Sequence, residues 1–275
     1  VIIIEDYGFI LDNMTWSFSR LESFHTCKYM WKKQYIDCED GEQNAFASYG
    51  TLGHKLLEQY AKGELDTFDL AGEYESRFDE AVPEEFPPNK FVDMRESYYN
   101  KGLAYFESIG DRLGEYKILG VEKKVEFELY GKPFVGYIDL LLEKDGEIYC
   151  VDHKSANIQF KKNGEPNKSS SEKMQTYKYQ LYMYSKALID AGIKVDYLVW
   201  NFFNNQHIYK IPWKQEEYEE TLRWVKDTLD AIDAEEEWEP NCDFYFCHYI
   251  CNYRGSCEHV EWKPREDGDV EWETG

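Results

Sequence analysis

The chain has 275 residues, 43% of them hydrophobic and 17% aromatic, so it can bury a substantial core and is not a disordered tail. No apolar run approaches the roughly 20 residues of a membrane span, and Val1-Ile-Ile-Ile4 is too short for a signal-peptide core and is followed at once by Glu5 and Asp6, so a cytoplasmic location without a membrane partner is expected. A net charge of −23 argues against a general nucleic-acid coat, because phosphate binding wants basic surface, and 24 lysines against 7 arginines argue against halophilic adaptation.

Ser17-Phe-Ser-Arg-Leu-Glu22 carries a capping pattern, with Ser17 or Ser19 as the cap and Glu22 three residues after Ser19. It predicts a helix running through Cys27 to about Tyr35. Gly50-Thr-Leu-Gly-His54 leads into a second helix over Lys55–Tyr60, and two more helical stretches are expected around 68–81 and 92–113, separated by Phe86-Pro-Pro88. The pattern changes near Tyr116. Runs rich in apolar and β-branched residues over Lys117–Leu129, Lys132–Glu143 and Glu147–Asp152 are broken by Tyr130-Gly131 and Lys144-Asp-Gly146, which are hairpin signals. A polar loop over Asn157–Ser171 precedes a helix over 172–191, strands near 195–203 and 207–212, and a helix near 214–234. The chain closes on a cysteine-rich segment and an acidic tail over 258–275, expected to be mobile. Without repeats or linkers, residues 1–257 read as one α/β domain: a mixed sheet flanked by helices.

The chemistry lies in Gly136-Tyr-Ile-Asp139 and Val151-Asp-His-Lys154. Asp139 falls inside a strand among Ile138, Leu140, Leu141 and Leu142, and Asp152 ends the next strand. Carboxylates beside a buried strand are costly unless paired, and two on adjacent strands repel unless a cation lies between them. Mg²⁺ or Mn²⁺ suits such oxygen ligands. Lys154, two residues after Asp152, points to the same side at strand period and could orient or help deprotonate a water beside a scissile phosphate. A local basic track is available in Lys154, Lys161, Lys162, Lys168 and Lys173.

These residues resemble the signature of the RecB-type PD-(D/E)XK nucleases: an Asp in a hairpin strand, then (Asp/Glu)-x-Lys, a helix carrying Gln-x-x-x-Tyr, and a His upstream. Asp139, Asp152-His-Lys154, Gln180-Leu-Tyr-Met-Tyr184 and His54 match in order and rough spacing, over about Ser17 to Cys257. The resemblance implies a restriction-endonuclease-like fold. It also implies catalytic roles for Asp139, Asp152, Lys154, Gln180 and Tyr184, and metal binding by His54, Asp139, Asp152 and the backbone carbonyl of His153. Gln180 and Tyr184 share a helix face at a spacing of four. Gln175, with Tyr179 four later, is the weaker match. Gly50 and Gly53 before His54 would let the backbone come close to a neighbour.

Cys247, Cys251 and Cys257 place three thiols within eleven residues, which need a fourth partner to complete a zinc or iron–sulfur site. In the cluster-bearing relatives that partner comes from the N-terminal helix, in a context like Ser17–Cys27. The resemblance therefore implies a 4Fe–4S cluster on Cys27, Cys247, Cys251 and Cys257, stapling the chain across more than two hundred residues. Relatives usually carry Cys-x-x-Cys before the last spacer, whereas three residues separate Cys247 from Cys251. Cys242 could replace Cys247, and His248 or His259 could make the site a zinc site. Cys38 and Cys150 read as bystanders.

The expectation is a metal-dependent deoxyribonuclease, an exonuclease more than an endonuclease, acting on linear DNA ends in recombination, repair or phage DNA processing. A recombinase or single-strand-binding protein is a conceivable partner. The alternatives are a non-cleaving DNA-end-binding module on the same fold and a zinc-containing interaction protein. No Gly-x-x-x-x-Gly-Lys-[Ser/Thr] loop is present, so no helicase motor is expected.

Overall fold

The computed structural model describes residues 7–260. The readings of Val1–Ile4 and of the tail beyond residue 260 lie outside the described residues.

The elements run α1 (Gly8–Asp12), α2 (Phe18–Thr26), α3 (Lys28–Tyr35), α4 (Ala45–Ala61), α5 (Leu70–Ala81), α6 (Met94–Ser108), β1 (Lys117–Leu129), β2 (Lys132–Lys144), β3 (Glu147–Lys154), α7 (Ser171–Asp190), β4 (Tyr197–Phe202), β5 (His207–Pro212) and α8 (Gln215–Asp233). The strands form one sheet in the order β1-β2-β3-β4-β5. Every neighbouring pair is antiparallel except β3–β4, which is parallel. A parallel pair needs a crossover, and the loop after β3 together with α7 supplies it. The result is the expected mixed α/β sheet flanked by helices. Both predicted hairpins close through left-handed pairs, Tyr130-Gly131 and Asp145-Gly146, whose twist suits a two-residue turn.

Two apolar layers sandwich the sheet. Leu141, Cys150, Leu198 and Trp200 face α7, whose Leu181, Tyr182 and Met183 complete the larger core with α2 and α8 residues. Leu140, Leu142, Val151 and Val199 face the other way, towards the side of α4 that carries Ala61. Helices α4, α5 and α6 share a separate cluster built on Tyr49, Leu56, Tyr74, Phe78 and Phe106. No helix among the described residues is long and apolar enough to cross a membrane.

The helix expected around 92–113 ends at Ser108, and three further boundaries differ from the expectation, each for a local reason. The helix predicted from Ser17 to Tyr35 breaks at Cys27, which is extended (φ −163°, ψ 112°). Its thiol accepts from Met30 N at 3.4 Å and so caps a second helix. Ser17, not Ser19, caps the first, accepting from Arg20 N at 3.3 Å. The helix expected over 55–60 begins ten residues earlier, at Ala45, because Asn44 accepts from Ala47 N at 3.0 Å as its cap. Gly50 and Gly53 therefore lie inside α4 and do not precede it. Strand β3 continues past Asp152 to Lys154, because β4 pairs with it as far as Lys154↔Phe202.

Candidate active site

The β2–β3 ladder stops at Leu140↔Val151. One residue further, the side chain of Asp139 takes over from the backbone: its Oδ2 accepts from His153 N at 2.6 Å. The Asp139 carboxylate is thus fixed beside the Asp152–Lys154 strand by a charge-assisted bond.

Strand alternation does the rest. Asp152 and Lys154 point towards α7, while His153 between them points to the opposite face. Asp152 is 3% exposed. Lys154 Nζ lies 2.9 Å from its Oδ1 and 2.8 Å from its Oδ2. Gln180, arriving on α7, accepts from the same Nζ through Oε1 at 2.8 Å, and the ring of Tyr177 lies 4.9 Å from it. Burial pushes the Asp152 carboxyl above its ordinary range, opposed by Lys154 and reinforced by Asp139. Its buried Oδ2 has the Lys154 ammonium against it at 2.8 Å and no directed hydrogen bond besides, which leaves a lone pair that a hard cation would satisfy.

On the other side of Asp139, α4 delivers His54, with Nδ1 3.7 Å from Asp139 Oδ2. The helix can approach this closely because a Cβ on Gly53 would overlap the ring of Phe203, and one on Gly50 would fall 2.9 Å from Ser155 Oγ. The expectation that these glycines admit a close neighbour holds, although they do so from within the helix.

A carboxylate not anticipated from the sequence completes the group. His54, Glu122 and Asp139 place ligand atoms within 4.8 Å of one another. In β1, Val121 pairs with Leu140 and Lys123 with Ile138, so Glu122 stands across from Asp139. Its φ of +47° is uncommon for a residue with a side chain. Burial raises its pKa to about 7, with Asp139 and Glu58 adding to the effect. The only sequence signal was a glutamate in the strand facing the Gly-Tyr-Ile-Asp segment, and the register that makes it meaningful is tertiary information.

The other site residues fall as follows. His153 is buried; its Nδ1 lies 3.0 Å from Asn201 Nδ2, and burial pushes its pKa down to about 3, with His54 adding to the effect. Its side chain faces away from Asp152 and lies edge-to-face with His54, ring centroids 6.0 Å apart. Tyr184 is 7% exposed. A Cβ on Gly136 would overlap its ring, so Gly136 is the space Tyr184 occupies. It packs behind the carboxylates, whereas Tyr177, which the sequence did not single out, is the ring against Lys154. Gln175 points away, towards Glu220 at 3.5 Å. Glu22, on α2, comes close enough to Lys154 and Lys173 to feel their charge. Lys161, Lys162, Lys168 and Lys173 are exposed, as a basic track would require.

Cys27, Cys242, Cys247, Cys251 and Cys257 line one small cavity between the start of α3 and the C-terminal segment. All are free thiols. Cys27 Sγ accepts from Met30 N and Asn241 N, and Cys251 Sγ from Tyr253 N, each at 3.4 Å. Burial raises the Cys247 thiol to about 11, with Cys251, Cys27, Cys242 and Cys257 all contributing. Asn44, the cap of α4, donates to Ile250 O at 2.9 Å, so the cysteine segment is bonded to the helix that carries His54. Cys38 lies outside the group, and Cys150 is buried in the sheet.

Residues 15–258 match the family model described as the PD-(D/E)XK nuclease superfamily. No match is found among curated proteins. Among solved structures, the "putative exonuclease" from Eubacterium rectale covers 96% of this chain and 94% of its own, with a TM-score of 0.50 at 13% identity, which is a likeness of fold. The structure of SSO0001 covers 91% of this chain and 95% of its own, with a TM-score of 0.32 at 14% identity.

Proposed function

This chain belongs to the PD-(D/E)XK nuclease superfamily, and we propose that it is a divalent-metal-dependent deoxyribonuclease that shortens linear DNA from its ends. The observation that carries this reading is the clamp on Lys154, held by Asp152 and Gln180 beside a carboxylate group that includes Asp139.

The donor set fits Mg²⁺ or Mn²⁺. Asp139, Glu122, Asp152 and the His153 carbonyl are hard oxygen donors, and His54, grouped with Glu122 and Asp139, adds one nitrogen. A bound divalent ion supplies Lewis-acid stabilisation of the charge that develops on the scissile phosphate. The remaining work falls to the chain. An ammonium has three protons; Asp152 and Gln180 take two of those on Lys154, which leaves the third for the attacking water or a phosphate oxygen. Gln180 and the ring of Tyr177 set the direction of that ammonium, and Tyr184 packs behind them. The exposed lysines of the loop after β3 give the DNA backbone a local basic path on an acidic protein. Action from ends is favoured by the resemblance to the RecB-type nucleases and by the name the Eubacterium rectale protein carries.

For the cysteines, the reading is a 4Fe–4S cluster on Cys27, Cys251, Cys257 and either Cys247 or Cys242. Two features support it: the five thiols share one cavity, and backbone N–H groups point at two of the sulfurs.

The decisive assay is cleavage of end-labelled linear single- and double-stranded DNA with Mg²⁺ or Mn²⁺, wild type against Lys154→Ala. Progressive shortening by the wild type alone supports the proposal and reveals polarity. Intact DNA after incubation with anaerobically prepared, cluster-replete protein would replace it with a non-cleaving DNA-end-binding module.

A further inference from the structure

On the face of the sheet turned away from α7, a cavity of about 360 Å³ lies between β2–β4 and the helices α4 and α6. That volume is within the range of small-molecule sites. Its floor is apolar: Leu140, Leu142, Val151 and Val199. Tyrosine rings form much of the wall, among them Tyr105 and the edge-to-face pair Tyr116–Tyr149 with centroids 5.5 Å apart.

One part of the lining is polar and incompletely satisfied. His153 and Asn201 are partners across the β3–β4 ladder. Asn201 Nδ2 donates to the Tyr105 hydroxyl at 2.7 Å and lies 3.0 Å from His153 Nδ1. Asn201 is only 6% exposed, yet its Oδ1 is buried with no hydrogen-bond partner.

Two cations also line the cavity. The Arg112 guanidinium lies 5.3 Å from the centre of the Tyr105 ring. Lys210 Nζ lies 5.6 Å from the Tyr149 ring and 4.5 Å from the Tyr197 ring. Among the described residues neither forms an ion pair. The nearby Glu147 instead accepts the hydroxyls of Tyr149 at 2.9 Å and Tyr197 at 3.3 Å. In a chain with 54 acidic and 31 basic residues, two cations without carboxylate partners on one aromatic cavity point to an anion from outside.

We propose that this cavity binds a small aromatic anion, its rings between the sheet and the tyrosines and its anionic group at Arg112 and Lys210. Such an occupant lies against His153, the residue that joins Asp152 to Lys154.

The test uses the metal-free full chain and 8-anilinonaphthalene-1-sulfonate, which has the rings and the anion, read by fluorescence and calorimetry. Its neutral counterpart, N-phenyl-1-naphthylamine, has the same rings without the sulfonate. One site per chain is expected, with the neutral compound at least about tenfold weaker. Val199→Trp, which fills the cavity, should abolish binding of both. Lys210→Met, at an exposed position, should weaken the anion about tenfold and leave the neutral compound unchanged. Thermal melts establish that each variant folds, and Lys210→Met decides the matter if Val199→Trp does not. Anion affinity unaltered by Lys210→Met, or equal affinity for the two compounds, overturns the proposal.

Discussion

Glu122 stands across the β1–β2 ladder from Asp139, two carboxylates held on neighbouring strands with His54 of α4 closing the group. Such an arrangement stores repulsion that a divalent cation relieves. Glu122→Gln should therefore weaken Mn²⁺ binding at least about tenfold, measured by calorimetry on the full chain. Unaltered Mn²⁺ affinity would remove Glu122 from the metal group.

The same residue sets a pH dependence. Burial, then Asp139 and Glu58, raise the Glu122 pKa from 4.5 to about 7 in the metal-free protein. Because the folded chain holds a proton that the unfolded chain releases at lower pH, the stabilisation is present below 4.5 and is lost as the pH rises through about 7. Buried Asp152, also raised, acts in the same direction. The melting temperature of the metal-free wild type relative to that of Glu122→Gln should fall between pH 5 and pH 8, a difference from which the opposing contribution of buried His153 cancels, and saturating Mn²⁺ should reverse it, since metal prefers the deprotonated group. An identical slope in wild type and Glu122→Gln would contradict the assignment.

Lys154 and Gln180 should differ in degree. Lys154→Ala removes the ammonium and leaves Asp152 buried without its partner, and cleavage should drop by at least about a thousandfold. Gln180→Ala leaves the ammonium but removes one of the two acceptors that aim it, so a loss of about tenfold to a hundredfold is expected. Initial rates on a labelled duplex measure both, and a Gln180→Ala loss equal to that of Lys154→Ala would show that Gln180 does more than aim the lysine.

Gly136→Ala is a small change with a large expected effect. Its Cβ would overlap the Tyr184 ring, and forcing a methyl into a packed site costs about 1–3 kcal/mol. Denaturant titration should show that loss, accompanied by reduced cleavage as α7 shifts. Wild-type stability would mean that Tyr184 has room the structure does not show.

Anaerobically purified protein should carry about four irons per chain with the charge-transfer absorption of an iron–sulfur cluster. Cys251→Ser should lose that iron and lower the melting temperature, because the segment it anchors bonds to the cap of α4 through Asn44 and Ile250. One zinc per chain and no iron would turn the cysteine group into a zinc site.

Much of this was readable along the chain because it depends on near neighbours. Tyr130-Gly131 and Asp145-Gly146 needed only local backbone preference to announce their hairpins. The Asp152-His-Lys154 spacing and the Gln180-to-Tyr184 spacing needed only strand and helix periods. Cys27 illustrates where this ends. Helical periodicity runs through it, and only the capping by its own thiol and the bond from Asn241 N, 214 positions away in the chain, account for the break. Tyr177 and Tyr184 make the same point: both fit the helical pattern, and the packing of α7 on the sheet decides which ring meets Lys154 and which fills the space beside Gly136.

The sequence by itself determined most of the elements though not their ends, the carboxylate–lysine pair and the family, since these follow from spacing within a strand, a turn or a helix. The tertiary structure alone decided that Glu122 faces Asp139, that α4 places His54 beside them, that five cysteines share one cavity and that an aromatic pocket with two cations lies behind His153. Each of these is a contact between residues far apart in the chain, set by strand register and by how closely a helix can approach the sheet. Neither is encoded at any single position.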